Sequence, residues 1–103
     1  QAFFAHEHDN GNNGAGITIA WATNGNKQKV TITGTGALTM TAPGGPANLI
    51  LKIVNGGAAA FTFSPVPEWP GGTAPTWTAS GTDMLALYWD AAAYWGQATL
   101  DMK

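Results

Sequence analysis

Short stretches in which apolar and polar residues alternate recur along the chain, and they predict β-strands. GITIAW places Ile17, Ile19 and Trp21 on one side, and KVTIT repeats the alternation after an Asn-Gly-Asn segment. Successive side chains of a strand point to opposite faces, so a period of two is typical of a strand with one buried face. Because Asn and Gly tolerate positive φ, residues 17–33 are predicted to form a β-hairpin.

Further candidate strands follow, separated by turns rich in Gly, Pro and Asn. The continuous apolar run from Leu49 to Ile53 predicts a strand buried on both faces. WTAS predicts a short strand, and MLALYW and YWGQATLDM predict two longer ones joined around residues 90–93. Between Ser64 and Thr76, four prolines and two glycines predict the longest loop.

Together these patterns predict an all-β fold of about eight short strands, since no segment shows a sustained helical period. Many short strands bury one face each by pairing two sheets, which favours an antiparallel β-sandwich or a jelly-roll-like arrangement. No strict internal repeat is evident. Residues 1–16, which end in an Asn/Gly-rich tract, are predicted to be a flexible N-terminal arm or linker, and residues 17–103 a single β-sandwich domain.

The composition narrows the classes of partner. Only 10% of the 103 residues are charged, against roughly 25% in an ordinary soluble domain. Such a chain is expected to bury surface against copies of itself or a scaffold. Four scattered lysines, no arginine and a net charge of −2 argue against nucleic acid, and no apolar run is long enough for a membrane helix. Cysteine is absent, so packing must hold the fold.

Candidate catalytic groups are few. His6 or His8 could in principle serve Ser64 or Ser80 as a base, but both histidines fall in the predicted arm, where a catalytic geometry is not held. A glycosidase would need two carboxylates, and Glu68 could pair with Asp83 or Asp90. Neither set is distinctive, so the sequence predicts a protein that is not an enzyme.

The one metal-like cluster is His6-Glu7-His8-Asp9, in which the two histidines would share one side of an extended strand. A single chain supplies too few ligands. Three copies meeting at an axis could offer six imidazoles to a divalent ion, but a solvated tether is the simpler interpretation. No cofactor is predicted.

Aromatic residues supply the remaining candidates, because five tryptophans are many for this length. Trp69 and Trp77 bracket a loop, WPGGTAPTW, where flat indole faces could stack on sugar rings. The alternative is structural. Pro70, Gly71, Gly72 and Pro75 would fix the loop backbone while Trp69 anchors it to the sheet, an arrangement called the loop clasp below. Trp77 is expected to pack.

From about Ile17 to its end, the chain resembles a module of tailed-bacteriophage virion proteins, found chiefly at the C-terminal ends of tail fibre and receptor-binding-like proteins. ITIAWATNGNKQKVTITGTGALTMTAP, PANLILKIVNGG and EWPGGTAPTWTASGTDMLALYWDAAAYWGQATLDM carry the resemblance. The family's ordered elements match Trp69, the Pro-Gly-Gly turn and Pro75, then Asp83 before MLALYW, and finally Tyr94-Trp95-Gly96. In the last hairpin, residues 90–93 (DAAA) replace the family's glycine-containing turn, which puts the tightness of that turn in doubt.

The resemblance implies a non-enzymatic virion structural component that forms a homotrimer, and it carries over no catalytic residue. A tail fibre or receptor-binding domain would contact a glycan or protein on the host surface. A capsid decoration, or cement, domain would instead contact other virion proteins on the phage head. A carbohydrate-binding module is a third class that the aromatic residues allow.

Overall fold

The computed structural model describes residues 6–103, so the first five residues of the predicted arm lie outside the described part of the chain. Eight strands, a one-turn helix and two 3₁₀ turns, Gly56–Ala58 and Pro70–Gly72, make up the regular structure. The strands are His8–Asn13 (β1), Ile17–Ala20 (β2), Lys27–Ile32 (β3), Leu38–Thr41 (β4), Ala47–Val54 (β5), Phe63–Ser64 (β6), Thr82–Trp89 (β7) and Tyr94–Thr99 (β8), and the helix is Trp21–Asn24 (α1).

The strands form two sheets, one of five strands in the order β1-β3-β5-β7-β8 and one of three in the order β2-β4-β6. The first six strands alternate between the sheets, and their neighbours within each sheet are parallel. The chain therefore coils through three turns, β1–β2, β3–β4 and β5–β6. The β7–β8 hairpin then extends the larger sheet with antiparallel pairs.

The prediction of a mostly β chain with about eight strands is confirmed. Antiparallel pairing holds for β5 with β7 and for β7 with β8, whereas the remaining pairs in the two sheets are parallel. Alternation of apolar and polar residues shows which face of a strand is buried, but it is the same for both strand directions. The direction of pairing is therefore invisible to that pattern.

The hairpin predicted for residues 17–33 is wrong, because β2 and β3 lie in different sheets. The buried side chain of Gln28 holds the connection between them. Its Nε2 donates to the carbonyl oxygen of Ala20 at 3.1 Å and to that of Gly25 at 2.9 Å. These bonds satisfy carbonyls on both sides of α1, so the chain crosses between sheets instead of reversing within one.

Residues 8–13, within the predicted arm, form β1 at one edge of the larger sheet. Asparagine side chains attach this strand to the next turn. Asn10 Nδ2 lies 3.0 Å from Gln28 Oε1, and the buried Asn13 donates from Nδ2 to the carbonyl oxygen of Gly36 at 2.7 Å. An Asn/Gly-rich tract favours loops by composition. Here hydrogen bonds from side-chain amides attach the strand to its neighbours, whereas apolar contacts do so for the other strands.

The three turns of the coil do carry a repeat, which begins at the corner before each strand of the smaller sheet. NGAGITIA, TGTGALTMT and NGGAAAFTFS contain the corresponding segments. Ile17 pairs with Leu38 and Leu38 with Phe63, so the spacing is 21 residues and then 25. This unequal spacing hides the repeat from a search for a strict period.

Glycines at these corners allow the backbones of successive turns to approach closely. Both Thr33 and Gly34 donate their N–H groups to the carbonyl oxygen of Asn13 at 3.0 Å. A Cβ atom on Gly34 would overlap the backbone of Gly14, and one on Gly36 would overlap that of Gly16. Residues with a side chain at these two positions would force the first two turns apart.

The space between the sheets holds one apolar cluster with members from both. In β5, Leu49, Leu51 and Ile53 are buried, whereas Ile50 is 37% exposed. The prediction that this strand is buried on both faces is therefore wrong, since the outer face of the larger sheet is left uncovered here. The buried apolar residues are Ile19, Trp21, Val30, Ile32, Leu38, Met40, Leu49, Leu51, Ile53, Phe61, Phe63, Leu85, Leu87 and Tyr94.

Asp83 ties the end of the coil to the C-terminal segment. The residue is fully buried, and its Oδ2 accepts the N–H of Thr78 at 2.8 Å while Oδ1 accepts that of Asp101 at 2.7 Å. Ser80, three residues before Asp83, donates its N–H to Asn55 Oδ1 at 2.7 Å. These bonds shape WTAS into an irregular segment and turn, so the short strand predicted there is wrong.

We expect Gly36→Ala to destabilise the protein by about 1–3 kcal/mol, since the added methyl group meets backbone, which cannot rotate away. Gly44→Ala is the matched control, because a Cβ atom there meets nothing within 4 Å. Its effect should stay within about 0.5 kcal/mol. Urea unfolding of the two variants measures the difference, and equal free energies of unfolding would contradict the stacked-corner account.

Candidate functional site

The outer face of the five-stranded sheet carries a row of exposed side chains across β5, β7 and β8. Asn48 is paired with Tyr88, and Tyr88 with Trp95. Tyr88 is 45% exposed and Trp95 51%. Glu68 extends the row, because this loop residue forms a bridge to Trp95. Together with Gln97 of β8, these residues are called the aromatic face below, and they border an open depression of about 490 Å³.

The alternation of the final hairpin explains why two large aromatic side chains point outward. Leu87 and Tyr94 are buried, so their neighbours Tyr88 and Trp95 must project to the other side of the sheet. Directly paired side chains on adjacent antiparallel strands lie roughly 5 Å apart at Cβ. The two side chains therefore project from the same face of the sheet, at paired positions on adjacent strands.

Asp90 fixes both the turn and the indole of Trp95. Its Oδ1 accepts the N–H groups of Ala92 and Ala93, each at 2.8 Å, and its Oδ2 accepts Nε1–H of Trp95 at 2.8 Å. Ala91 adopts a positive φ of 76°. The turn without glycine is thus closed by a carboxylate, and the same carboxylate orients the exposed indole.

These hydrogen bonds also affect the ionisation of Asp90. The bond from Trp95, followed by those from the backbone of Ala93 and Ala92, lowers the pKa of this carboxyl group below its ordinary value of 3.8. Because the charged form is the better acceptor, the folded state favours ionised Asp90.

The predicted loop clasp lies beside the aromatic face. Glu68 donates its N–H to the carbonyl oxygen of Tyr94 at 2.7 Å and accepts the N–H of Gly96 at 2.9 Å, so the loop pairs with the edge of β8. Trp69 covers Gly96, where a Cβ atom would come within 2.8 Å of Trp69 Cζ3. Because Gly96 has no side chain, the indole of Trp69 packs directly against its backbone.

The glycines and prolines of the clasp set the path of the loop. Pro70 begins a 3₁₀ turn, and Gly71 and Gly72 adopt φ values of 63° and 77°, which favour glycine. Gly72 donates its N–H to the carbonyl oxygen of Trp69 at 2.9 Å. Pro75 is half-buried in the irregular segment that follows.

Trp69 and Trp77 are held among other rings rather than presented as a flat pair. Their ring centroids lie 6.1 Å apart with the planes at 70°, and Phe63 lies 6.1 Å from Trp69. Phe61 lies 5.7 Å from Trp77. Both indoles are partly buried against the core. This edge-on packing favours an anchoring role over a sugar platform at these two positions.

Of the candidate catalytic carboxylates, Glu68 and Asp83 lie on opposite sides of the larger sheet, whereas Glu68 and Asp90 both lie beside Trp95. Glu68 lies on the outer face, whereas Asp83 is buried on the inner side of β7 with both oxygens bonded to backbone N–H groups. Asp90 is engaged by the turn and Trp95. His8 lies in β1, at the opposite edge of the sheet from β8.

His6 and His8 sit at the start of the described chain, His6 exposed and His8 half-buried in β1. Within residues 6–103, no group of three or more histidine, aspartate or glutamate side chains is placed to hold a metal ion. A six-imidazole site would require three copies, so the solvated tether stays the prediction for this segment.

The sequence contains a signal for the aromatic face in the alternation of its last strand. In β8, Trp95 and Gln97 alternate with Tyr94 and Gly96, so the polar Gln97 marks the outward side. Trp95 belongs to that side. Pairing with Tyr88 depends on the register of the β7–β8 hairpin, and the turn at residues 90–93 sets that register.

Comparison of the chain with protein-family models, with curated proteins and with solved structures gave no match. In the described part of the chain, no helix is long and apolar enough to cross a membrane.

In a pH titration followed by nuclear magnetic resonance, we expect the Nε1–H resonance of Trp95 to shift with a midpoint below pH 3.8. The lowered pKa of Asp90 means that its bond to the indole is fully formed above that pH and is lost as pH falls through the folded-state pKa. Asp90→Asn should remove the titration, because the amide has no group to ionise. A midpoint at or above 3.8 would contradict the bonded geometry.

Proposed function

We propose that this chain is a non-enzymatic domain of a phage virion, of the tail fibre or receptor-binding type, and that its aromatic face binds a glycan of the host surface. The observation that carries the proposal is that two exposed aromatic residues, Tyr88 and Trp95, occupy paired positions on the same face of adjacent strands. The sequence resemblance supports the virion assignment.

The chemistry of the aromatic face suits a sugar. Tyrosine and tryptophan present flat apolar surfaces with one polar group, which matches the C–H face of a pyranose ring. Asn48, Gln97 and Glu68 border the same depression. Amides both donate and accept hydrogen bonds and carboxylates accept them, so this set can satisfy the hydroxyl groups around a stacked ring.

A binding role without catalysis is supported by the state of the acidic residues. Glu68 is the carboxylate bordering the depression, and the other acids considered as its partner are engaged in structural bonds. A glycosidase needs a second carboxylate across the scissile bond. The aromatic face therefore fits recognition of a glycan better than its hydrolysis.

The low content of charged residues supports association with copies of the chain and with other virion proteins. A homotrimer on the virion surface stays a prediction from the sequence, as does the tail location.

We expect Trp95→Ala and Tyr88→Ala each to weaken glycan binding at least tenfold, since each removes one stacking surface worth about 1.5 kcal/mol or more. The measurement is a glycan array of hexose, N-acetylhexosamine, deoxyhexose, uronate and sialate oligosaccharides, followed by titration calorimetry on positive ligands. Met102→Ala is the control, because Met102 is 48% exposed but lies after β8. Absence of any array ligand, or equal loss in all three variants, would overturn the proposal.

A further inference from the structure

We propose that the ligand of the aromatic face is an uncharged oligosaccharide that lies across strands β8, β7 and β5. This inference rests on the proposed function, and it adds the chemical class of the glycan and the direction in which it binds.

The row of outward side chains gives the direction. Glu68, Trp95, Tyr88 and Asn48 follow one another across four neighbouring backbone segments, by register. Neighbouring strands are about 4.8 Å apart, so the row measures about 14 Å. Polar groups stand at its two ends and rings in its middle. A short oligosaccharide spans such a row, whereas a monosaccharide would reach one ring and one end.

The next row along the strands leaves space for the ligand. There Gln97, Ala86 and Ile50 face outward, paired in that order. The alanine side chain ends at Cβ, so the surface is low directly beside Tyr88, and Ala86 and Gln97 both border the depression. The ligand can therefore lie against the rings while the Gln97 amide remains available to its hydroxyl groups.

The charges near the depression oppose an acidic ligand. Among the described residues that border it, Glu68 is the one with a charged side chain at neutral pH. A uronate or sialate carboxylate would meet this like charge, and the repulsion is unfavourable although Glu68 is exposed to solvent. An uncharged sugar meets no such repulsion, and its hydroxyl groups can donate to the Glu68 carboxylate.

The lysines of the larger sheet do not make the depression favourable for an acidic ligand. Lys52 lies four residues beyond Asn48 along β5, about 13 Å away, and its Nζ is 3.3 Å from Glu7 Oε1. Lys29 is the register partner of Lys52, and Asp9 is that of Lys29. Lys27 is the register partner of Ile50, which pairs with Ala86. Among the described residues that border the depression, however, there is no lysine, whereas Glu68 is one of them.

Titration of the native chain and of Glu68→Gln with a neutral trisaccharide and with its uronate counterpart, at low salt, tests the class of ligand. On the native chain we expect the uronate to bind at least about fivefold more weakly, as one unfavourable contact of ~1 kcal/mol requires. In Glu68→Gln that difference should shrink, because the like charge is gone. Equal or tighter binding of the uronate to the native chain would overturn the uncharged class.

The direction is tested with Asn48→Ala. Loss of an end contact should weaken binding of the neutral trisaccharide severalfold and leave binding of the monosaccharide unchanged. Equal effects on the two affinities would overturn the crosswise orientation. The variant Trp95→Ala distinguishes failure of the ligand class from failure of the proposed function. If the uronate is preferred but Trp95→Ala abolishes its binding, only the ligand class fails. If neither sugar's binding depends on Trp95, the proposed function itself fails.

Discussion

The close approach of backbone at the glycine corners is the constraint on which the rest of the structure depends. Gly34 and Gly36 lie against Gly14 and Gly16 with no room for a side chain, and corner N–H groups bond directly to carbonyls of the preceding turn. Parallel strands need a crossover between them. Here each crossover is a strand of the opposite sheet, and this is possible in so short a chain because the corners are nearly bare backbone.

The position of the aromatic face follows from that coil. Three stacked turns build a two-sheet core, and the β7–β8 hairpin adds to the larger sheet. Inward residues of the hairpin complete the core, so their neighbours Tyr88 and Trp95 project outward without an apolar cover in the described chain. An exposed aromatic side chain that is also held in place, as Trp95 is, is suited to binding, since little side-chain entropy remains to be lost. Asp90 supplies part of that order through its bond to the Trp95 indole.

The sequence predicted the features that depend on local pattern. Val30 and Ile32 are buried as their alternation indicates, and the final hairpin turns at residues 90–93 as expected. Strand direction could not be predicted, because a period of two is shared by parallel and antiparallel strands. The burial of Asn13 and Gln28 was also invisible, since polar residues enter a core only where specific partners satisfy them. Asn13 bonds to Gly36 in the next turn, and Gln28 bonds to Ala20 and Gly25 on the two sides of α1.

The sequence singles out tryptophans as candidates but does not distinguish their surroundings. WPGGTAPTW contains anchored rings, whereas Trp95, with Tyr88, faces solvent. Distinguishing them requires knowing which face of the sheet the core covers.

The most direct measurement of the central claim is a map of backbone amide shifts during titration with an array-positive glycan. The account predicts that perturbed amides cluster in β5, β7 and β8, and perturbations confined to the three-stranded sheet or to residues 73–77 would contradict it.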